Sequence, residues 1–156
     1  MTRKYCFKMD KLIRDLVPGI MRSRGVSVFE RSMKEDEYIQ RLKDKLLEEL
    51  QEVIDAQTPD EVSEELADLL EVIYALSKEY NLSMEQIEAK RFIKKQKDGG
   101  FDNRIYGSYI EMHSDNENIG YFLARPEKYP EIKPSDLLNL VSPLHKQVSR
   151  FPPTRE

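Results

Sequence analysis

Residues 46–76 read LLEELQEVIDAQTPDEVSEELADLLEVIYAL, and this stretch predicts two amphipathic helices joined by a tight turn. Thr58 is a suitable N-cap, Pro59 suits the first helical position, and Glu61 completes a capping box. The second helix is therefore expected to begin at Pro59. Because the turn is short, the two helices must run antiparallel.

Each of these helices carries a pair of acids three residues apart, Glu49 and Glu52 on the first and Glu65 and Asp68 on the second. Residues three apart share one face of a helix. Counted from the turn, the two pairs lie at axial levels that differ by roughly 3 Å, at 1.5 Å per residue. Four carboxylates can therefore converge on one point.

The rotational position of the acids favours the same conclusion. The apolar residues recur with the helical period, and the expected stripes are Ile39, Leu42, Leu46, Leu50 and Val53 on the first helix and Val62, Leu66, Leu69, Ile73 and Leu76 on the second. Glu49 and Glu65 border these stripes, and Glu52 and Asp68 lie just outside them. Carboxylates crowded at a partly desolvated interface repel one another unless a hard cation such as Mg²⁺ neutralises them.

A plainer interpretation of the acids is a solvated surface, because 29 of the 156 residues are acidic. The length indicates one domain, and 35% charged with 39% hydrophobic residues is typical of a helical protein. No apolar run approaches the roughly 18 residues of a membrane span, and the N-terminus lacks the apolar core of a signal peptide. We expect no membrane partner and a cytoplasmic location.

The single cysteine, Cys6, excludes an internal disulfide and is interpreted as structural. A formal net charge of -4 argues against a general nucleic-acid binder, so no specific nucleic-acid partner is expected.

The remaining segments supply shorter elements. Pro18 is expected to start a short helix that ends near Gly25, and the first long helix should run over residues 34–56. The second should run over residues 59–80. Ser83 should cap a third helix that ends at Asp98, before two glycines.

Beyond residue 101 the pattern changes. Residues 104–112 and 119–124 alternate or run apolar around a polar loop, which predicts a β-hairpin. Ser135 can cap a short helix through about residue 140, and a Pro-containing tail follows.

The third helix is basic on one face. Lys90, Lys94 and Lys97 recur at i, i+4 and i+7, with Arg91 and Lys95 beside them. On its own such a face is more often simply solvated. Next to an acidic metal site, however, a row of cations is what a polyphosphate requires, because the metal binds some oxygens and the lysines neutralise others.

These residues resemble the MazG-like all-α nucleoside triphosphate pyrophosphohydrolase superfamily, in the branch similar to phosphoribosyl-ATP pyrophosphohydrolase. Its signature, EExxE followed by ExxD, matches residues 48–52 and 65–68. KLIRDLVP at residues 11–18 and KKQKDGGF at residues 94–101 resemble two further conserved segments of that branch. The resemblance covers roughly residues 10–106, and Leu16 and Asp98 each replace a basic residue of its pattern.

The resemblance implies an all-α, MazG-like helical bundle over residues 1–106. A C-terminal extension, residues 107–156, would add the small β-hairpin, the short helix and the tail, packed on the same domain. The implied reaction is Mg²⁺-dependent hydrolysis between the α- and β-phosphates of a nucleotide, releasing a nucleoside monophosphate and pyrophosphate.

Site residues also follow from the resemblance. Glu49, Glu52, Glu65 and Asp68 would hold Mg²⁺, with Mn²⁺ as the alternative ion. Glu48 would orient a ligand or water, and a carboxylate of Glu49 or Glu52 would accept the proton of that water. The residues expected to bind the substrate phosphates are basic, namely Lys90, Arg91, Lys94, Lys97, Lys11 and Arg14.

Three functions stay open at this stage. The first is removal of unwanted or modified nucleoside triphosphates, a house-cleaning role. The second is biosynthetic hydrolysis of phosphoribosyl-ATP, and the third is a helical interaction module that has lost catalysis. A homodimer or homotetramer is expected, because related proteins build four-helix bundles from paired chains and Leu47, Leu70 and Tyr74 lie off the main stripes.

Overall fold

The computed structural model describes residues 3–133 and residue 136. Its regular elements within these residues are five helices, α1 Val17–Ser23, α2 Glu35–Asp55, α3 Pro59–Glu79, α4 Met84–Asp98 and α5 Ile119–Leu123. No strand occurs in this part of the chain, which confirms the predicted all-α class. The chain divides into two compact units, Met1–Gly99 and Gly100–Glu156. None of the described helices is both long enough and apolar enough to cross a membrane.

The hairpin of α2 and α3 is the main packed pair of the first unit. Its turn has the predicted capping box: the Thr58 hydroxyl accepts from the backbone N–H of Glu61 at 3.2 Å, and the Glu61 carboxylate accepts from the backbone N–H of Thr58 at 3.2 Å. This reciprocal pair satisfies backbone donors at the start of α3 and stops the chain from continuing α2. The antiparallel arrangement follows.

The ends of α4 also lie where the sequence indicates. Ser83 caps the helix through the backbone N–H of Gln86, and the Gln86 side chain accepts from the backbone N–H of Ser83 at 2.8 Å. Gly99 ends it with a φ of 86°, in the left-handed region that favours glycine. α1 has Pro18 in its first turn, where the missing N–H costs no helical hydrogen bond.

The burial pattern of the hairpin differs from the predicted stripes. Leu42 and Val72 are buried, but Leu50 and Leu66 remain 46% and 49% exposed. The prediction that Leu50 and Leu66 belong to the apolar interface was therefore wrong for the single chain. Glu49, expected on the shoulder of the stripe, is instead 2% exposed. The contact between α2 and α3 thus encloses a carboxylate as well as leucine and valine side chains.

The second unit corrects the prediction of a β-hairpin. Residues 119–123, expected to form its second strand, are the helix α5, and residues 104–112 form no regular element. The Asn116 side chain accepts from the backbone N–H of Asn118 at 2.9 Å, a local bond that favours a turn into a helix. Tyr121, Phe122 and Tyr129 then form a small aromatic cluster. Apart from Asp136, the predicted helix over residues 135–140 lies outside the described residues, as does the tail.

Candidate metal and phosphate site

Three carboxylates from the two long helices meet at one point. Glu49 of α2 and Glu65 and Asp68 of α3 each place a carboxylate oxygen within 4.8 Å of the others. Glu49 is buried, and Glu65 and Asp68 are half-buried. The matched axial level of the acid pairs, which the capped turn fixes, is what brings residues from different helices together.

Glu49 is the innermost member of this acidic cluster of Glu49, Glu65 and Asp68. One of its oxygens, Oε1, forms a close ion pair with Nζ of Lys45, one turn earlier on α2. The other oxygen, Oε2, is buried and has no hydrogen-bond partner among the described residues. A buried carboxylate oxygen without a donor is costly, because it has lost the hydrogen bonds that water would give it.

Glu52 lies beside the cluster and is exposed. The neighbouring carboxylate of Glu49 raises the pKa of Glu52, and partial burial and the charge of Glu65 raise it further. The predicted convergence of four acids is therefore observed as a compact group of three with Glu52 electrostatically coupled to it.

Glu48 shares Lys45 with Glu49 and has Lys11 as a second partner. Its Oε1 lies 2.7 Å from Nζ of Lys11 and 3.0 Å from Nζ of Lys45. Burial alone would raise the pKa of Glu48, but the two ammonium groups outweigh it and hold that pKa below its usual value. Glu48 is thus kept ionised and fixed in position.

Lys11 and Arg14, expected to bind phosphate, contact the acids themselves. Lys11 pairs with Glu48 on α2, and Nη2 of Arg14 lies 2.6 Å from Oδ1 of Asp68 on α3. The segment that precedes α1 therefore places one cation on each helix of the hairpin. Both cations lie at the site where a phosphate beside the acids would need them.

The basic residues of α4 are placed differently. Lys90, Arg91, Lys94 and Lys97 are all exposed. Arg91 donates two hydrogen bonds of 2.6 Å to Glu88 on its own helix. Among residues 3–133 and 136, Lys90, Lys94 and Lys97 have no hydrogen-bond or ion-pair partner, and the structure does not bring this basic face into contact with the acidic cluster.

One residue of the site was not singled out from the sequence. Lys45 contacts both Glu48 and Glu49 and is only half-exposed as a residue, with a side chain 18% accessible. Burial alone would lower the pKa of Lys45, but Glu49 and Glu48 raise it above its usual value. The sequence feature that could have identified Lys45 is its spacing, because it lies three residues before Glu48 and four before Glu49. Side chains at those distances are neighbours on a helix.

The donor set fits a hard divalent cation. It consists of carboxylate oxygens alone, which Mg²⁺ prefers, and it includes a buried oxygen that has no partner in the described part of the chain. The surrounding cations Lys11, Arg14 and Lys45 compensate the charge of the acids. Glu49, Glu65 and Asp68 could therefore hold a metal ion.

Residues 23–91 match the family model of phosphoribosyl-ATP pyrophosphohydrolase. The matched segment makes up less than half of the 156 residues. The family lies within the MazG-like all-α nucleoside triphosphate pyrophosphohydrolase superfamily, so the resemblance inferred from the sequence is confirmed. It is a family of nucleotide pyrophosphohydrolases, generally metal-dependent, and the match supports an enzyme of this type.

The matched segment holds every acid of the site, together with Lys45, Lys90 and Arg91. Lys11, Arg14, Lys94 and Lys97 lie outside it. Searches of curated proteins and of solved structures gave no match to the chain.

Proposed function

We propose that the protein is a Mg²⁺-dependent pyrophosphohydrolase that cleaves a nucleotide 5′-triphosphate between its α- and β-phosphates. The products would be a nucleoside monophosphate, or its phosphoribosyl derivative, and pyrophosphate. The observation that carries the proposal is the meeting of the Glu49, Glu65 and Asp68 carboxylates, one of which has a buried oxygen without a partner among the described residues. Mn²⁺, also a carboxylate-binding ion, is the alternative cofactor.

In this proposal Glu49, Glu65 and Asp68 would hold the ion, with Glu52 beside them. The bound ion would polarise the phosphate and lower the pKa of a nearby water. Glu52 is suited to accept the proton of that water, because it is exposed and its raised pKa makes it a stronger base than an ordinary glutamate. Glu48, held by Lys11 and Lys45, would orient the groups around it.

The phosphates would be met by basic side chains. Arg14 and Lys11 already bind carboxylate oxygens of the site, and a phosphate offers them oxygens of the same charge and similar geometry. The exposed face with Lys90, Arg91, Lys94 and Lys97 would supply further charge when it lies against the site. Basic groups on both sides would offset the charge of the pyrophosphate leaving group.

Two substrate classes share this cleavage. The family match favours phosphoribosyl-ATP, which carries a second phosphate on its added ribose. Lys11 and Arg14 help to line a cavity of about 1030 Å³. The charges around this cavity favour instead a nucleoside triphosphate, which has a single phosphate chain. Apart from Lys11 and Arg14, which the proposal assigns to the triphosphate, the cations that line it are already bound to other carboxylates, as Arg22–Glu30, Arg31–Glu37 and Arg41–Asp10. A second phosphate there would have to displace one of these carboxylates.

Because the cations that line the cavity are already paired, we rank the nucleoside triphosphate first as substrate. The protein would then act in the cytoplasm to remove unwanted or non-canonical nucleotides. The test is pyrophosphate release from canonical and modified nucleoside triphosphates and from phosphoribosyl-ATP, each with Mg²⁺ and with chelator. Release from the triphosphates at higher kcat/KM supports this ranking, and a clear preference for phosphoribosyl-ATP reverses it. No release from any of them would leave the helical interaction module as the function.

The same proposal includes assembly into a homodimer or homotetramer. Leu47, Leu70 and Tyr74 are 67%, 46% and 41% exposed, and Phe92 and Ile93 of α4 are exposed as well. A second copy of the chain, burying these residues against its own hairpin, would remove apolar surface from water. It would also allow the basic face of α4 in one copy to approach the acidic cluster of the other.

A further inference from the structure

Lys45 contacts two acids of the site. Its Nζ lies 3.0 Å from Oε1 of Glu48 and forms a closer ion pair with Oε1 of Glu49. Its side chain is 18% exposed, whereas Lys43, two residues earlier on α2, is exposed to solvent. The ammonium group is therefore held between two acids at the inner side of the site.

Lys45 contacts only one of the two carboxylate oxygens of Glu49. Lys45 takes Oε1, while Oε2 is buried and unpartnered within the described residues. An ammonium on one oxygen limits rotation of the carboxylate, and the neighbouring contact with Glu48 limits movement of the ammonium itself. The side chain of Glu49, only 3% exposed, thus has one oxygen occupied and the other left for a different partner.

We propose that Lys45 is a positioning residue for the cation site, which fixes the Glu49 carboxylate so that Oε2 is presented to a divalent cation. The inference rests on the cation site proposed above. Carboxylates that bind metals are commonly held by a second partner, and removing that partner typically weakens metal binding by about 10- to 100-fold.

If Lys45 served only as a counter-charge, its removal would have the opposite effect on Mg²⁺ binding. If Lys45 only neutralised Glu49, its removal would leave the acidic cluster more negative, and Mg²⁺ would bind more tightly. If Lys45 positions Glu49, its removal frees the carboxylate to turn away from Glu65 and Asp68, and Mg²⁺ binds more weakly. The direction of the change therefore distinguishes the two roles.

The experiment measures Mg²⁺ binding to the full chain by calorimetry, with MgCl2 and no nucleotide. Lys45→Met should raise the Kd by about tenfold or more. Lys45→Arg, which keeps a charged donor, should recover most of the affinity. Lys43→Met is the matched control, since it removes the same charge from an exposed position of α2 and should bind Mg²⁺ as the unaltered protein does.

Thermal melting in chelator provides the second readout. It verifies that each variant is folded, and Lys45→Gln, which keeps a neutral donor, replaces Lys45→Met if the latter does not fold. Equal or tighter Mg²⁺ binding by a folded Lys45→Met or Lys45→Gln variant would overturn the positioning role alone. Absence of Mg²⁺ binding by the unaltered protein would overturn the cation site and the role of Lys45 together.

Discussion

The acidic cluster of α2 and α3 and the basic face of α4 carry opposite charges in contrasting surroundings. Glu49 is buried and paired with Lys45, and Asp68 is paired with Arg14. Lys94 on α4 is exposed and has no partner in the described part of the chain.

The difference follows from the cost of burying charge. A carboxylate removed from water must be matched by a cation or a hydrogen-bond donor, so the acidic cluster can exist only with its compensating groups in place. An exposed lysine is stabilised by water and needs no protein partner. Of the proposed site, one half is therefore organised within the chain, and the other half would become organised only when a ligand or another chain reaches it.

The largest expected effect concerns the organised half. Asp68→Asn removes the charge of a proposed metal ligand and with it the ion pair with Arg14. We expect Mg²⁺ binding to weaken and kcat/KM for pyrophosphate release to fall by at least about 100-fold, since losing a ligand should cost more than losing a second partner of a ligand. Circular dichroism should show that the helices persist.

Glu64→Gln is the matched control for this prediction, because Glu64 is an exposed acid of α3 outside the cluster. Its Mg²⁺ affinity and activity should equal those of the unaltered protein. Unchanged turnover in Asp68→Asn would show that the meeting of the acids has no catalytic role.

The second prediction concerns the proposed assembly, in which the basic face of α4 in one copy would approach the acidic cluster of another. Leu70→Glu places a charge on the exposed apolar surface of α3, where an interface between copies would have to bury it. Light scattering should give a mass above the 18.4 kDa of one chain for the unaltered protein and a monomer for the variant. Activity should fall with assembly while Mg²⁺ binding is retained.

Ser63→Glu adds the same charge at an exposed polar position of α3 and should leave assembly intact. A monomer mass for the unaltered protein at micromolar concentration, with full activity, would instead mean that one chain completes the site.

The third prediction addresses the basic face. Lys94→Ala removes a proposed phosphate contact, and a hydrogen bond to a charged group contributes about 1.5–3 kcal/mol, so kcat/KM should fall about tenfold or more. Thermal stability should change little, because Lys94 is exposed. Lys95→Ala, which removes the same charge from an adjacent line of the helix, is the control and should have a smaller effect. Equal kinetics for Lys94→Ala and the unaltered protein would indicate a solvated face without a role.

The smallest expected effect is a change in stability at Glu52. Because its pKa is raised in the folded protein, its stabilising protonated form is lost as the pH rises through that raised pKa, above the usual value of 4.5. Glu52→Gln stays neutral at every pH. In chelator the melting temperature of Glu52→Gln should therefore exceed that of the unaltered protein by a few degrees at neutral pH.

This advantage of Glu52→Gln should shrink as the pH is lowered from the raised pKa towards 4.5 and should be absent below 4.5, where the unaltered glutamate is protonated in both states. The variant should lose activity despite its greater stability, as expected when a site holds repelling charges for function. A melting temperature at neutral pH equal to or below that of the unaltered protein would show that Glu52 is not repelled by its neighbours.

The sequence by itself determined the local elements. Thr58 and Ser83 with their partners Glu61 and Gln86 marked the starts of α3 and α4, and Gly99 marked the end of α4. Capping depends on residues within one turn of each other, so it can be read from the chain directly. The axial match of Glu49 with Glu65 and Asp68 followed from the same local geometry, because the turn fixes the register of the helices.

Tertiary structure alone decided how each side chain is used. The periodicity placed Leu50 in the core and Glu49 at its edge, but burial depends on which rotation of α2 faces α3, and the observed rotation buries Glu49. The partners of Glu48 and Asp68 come from Lys11 and Arg14, 37 and 54 residues away, and no periodic pattern encodes such distant pairs. The apolar alternation of residues 119–124 predicted a strand, yet these residues had no neighbouring strand to pair with, and local hydrogen bonds gave the helix α5 instead. Whether a charge is buried, paired or exposed is a property of its three-dimensional neighbours, and for this site only the folded chain supplies them.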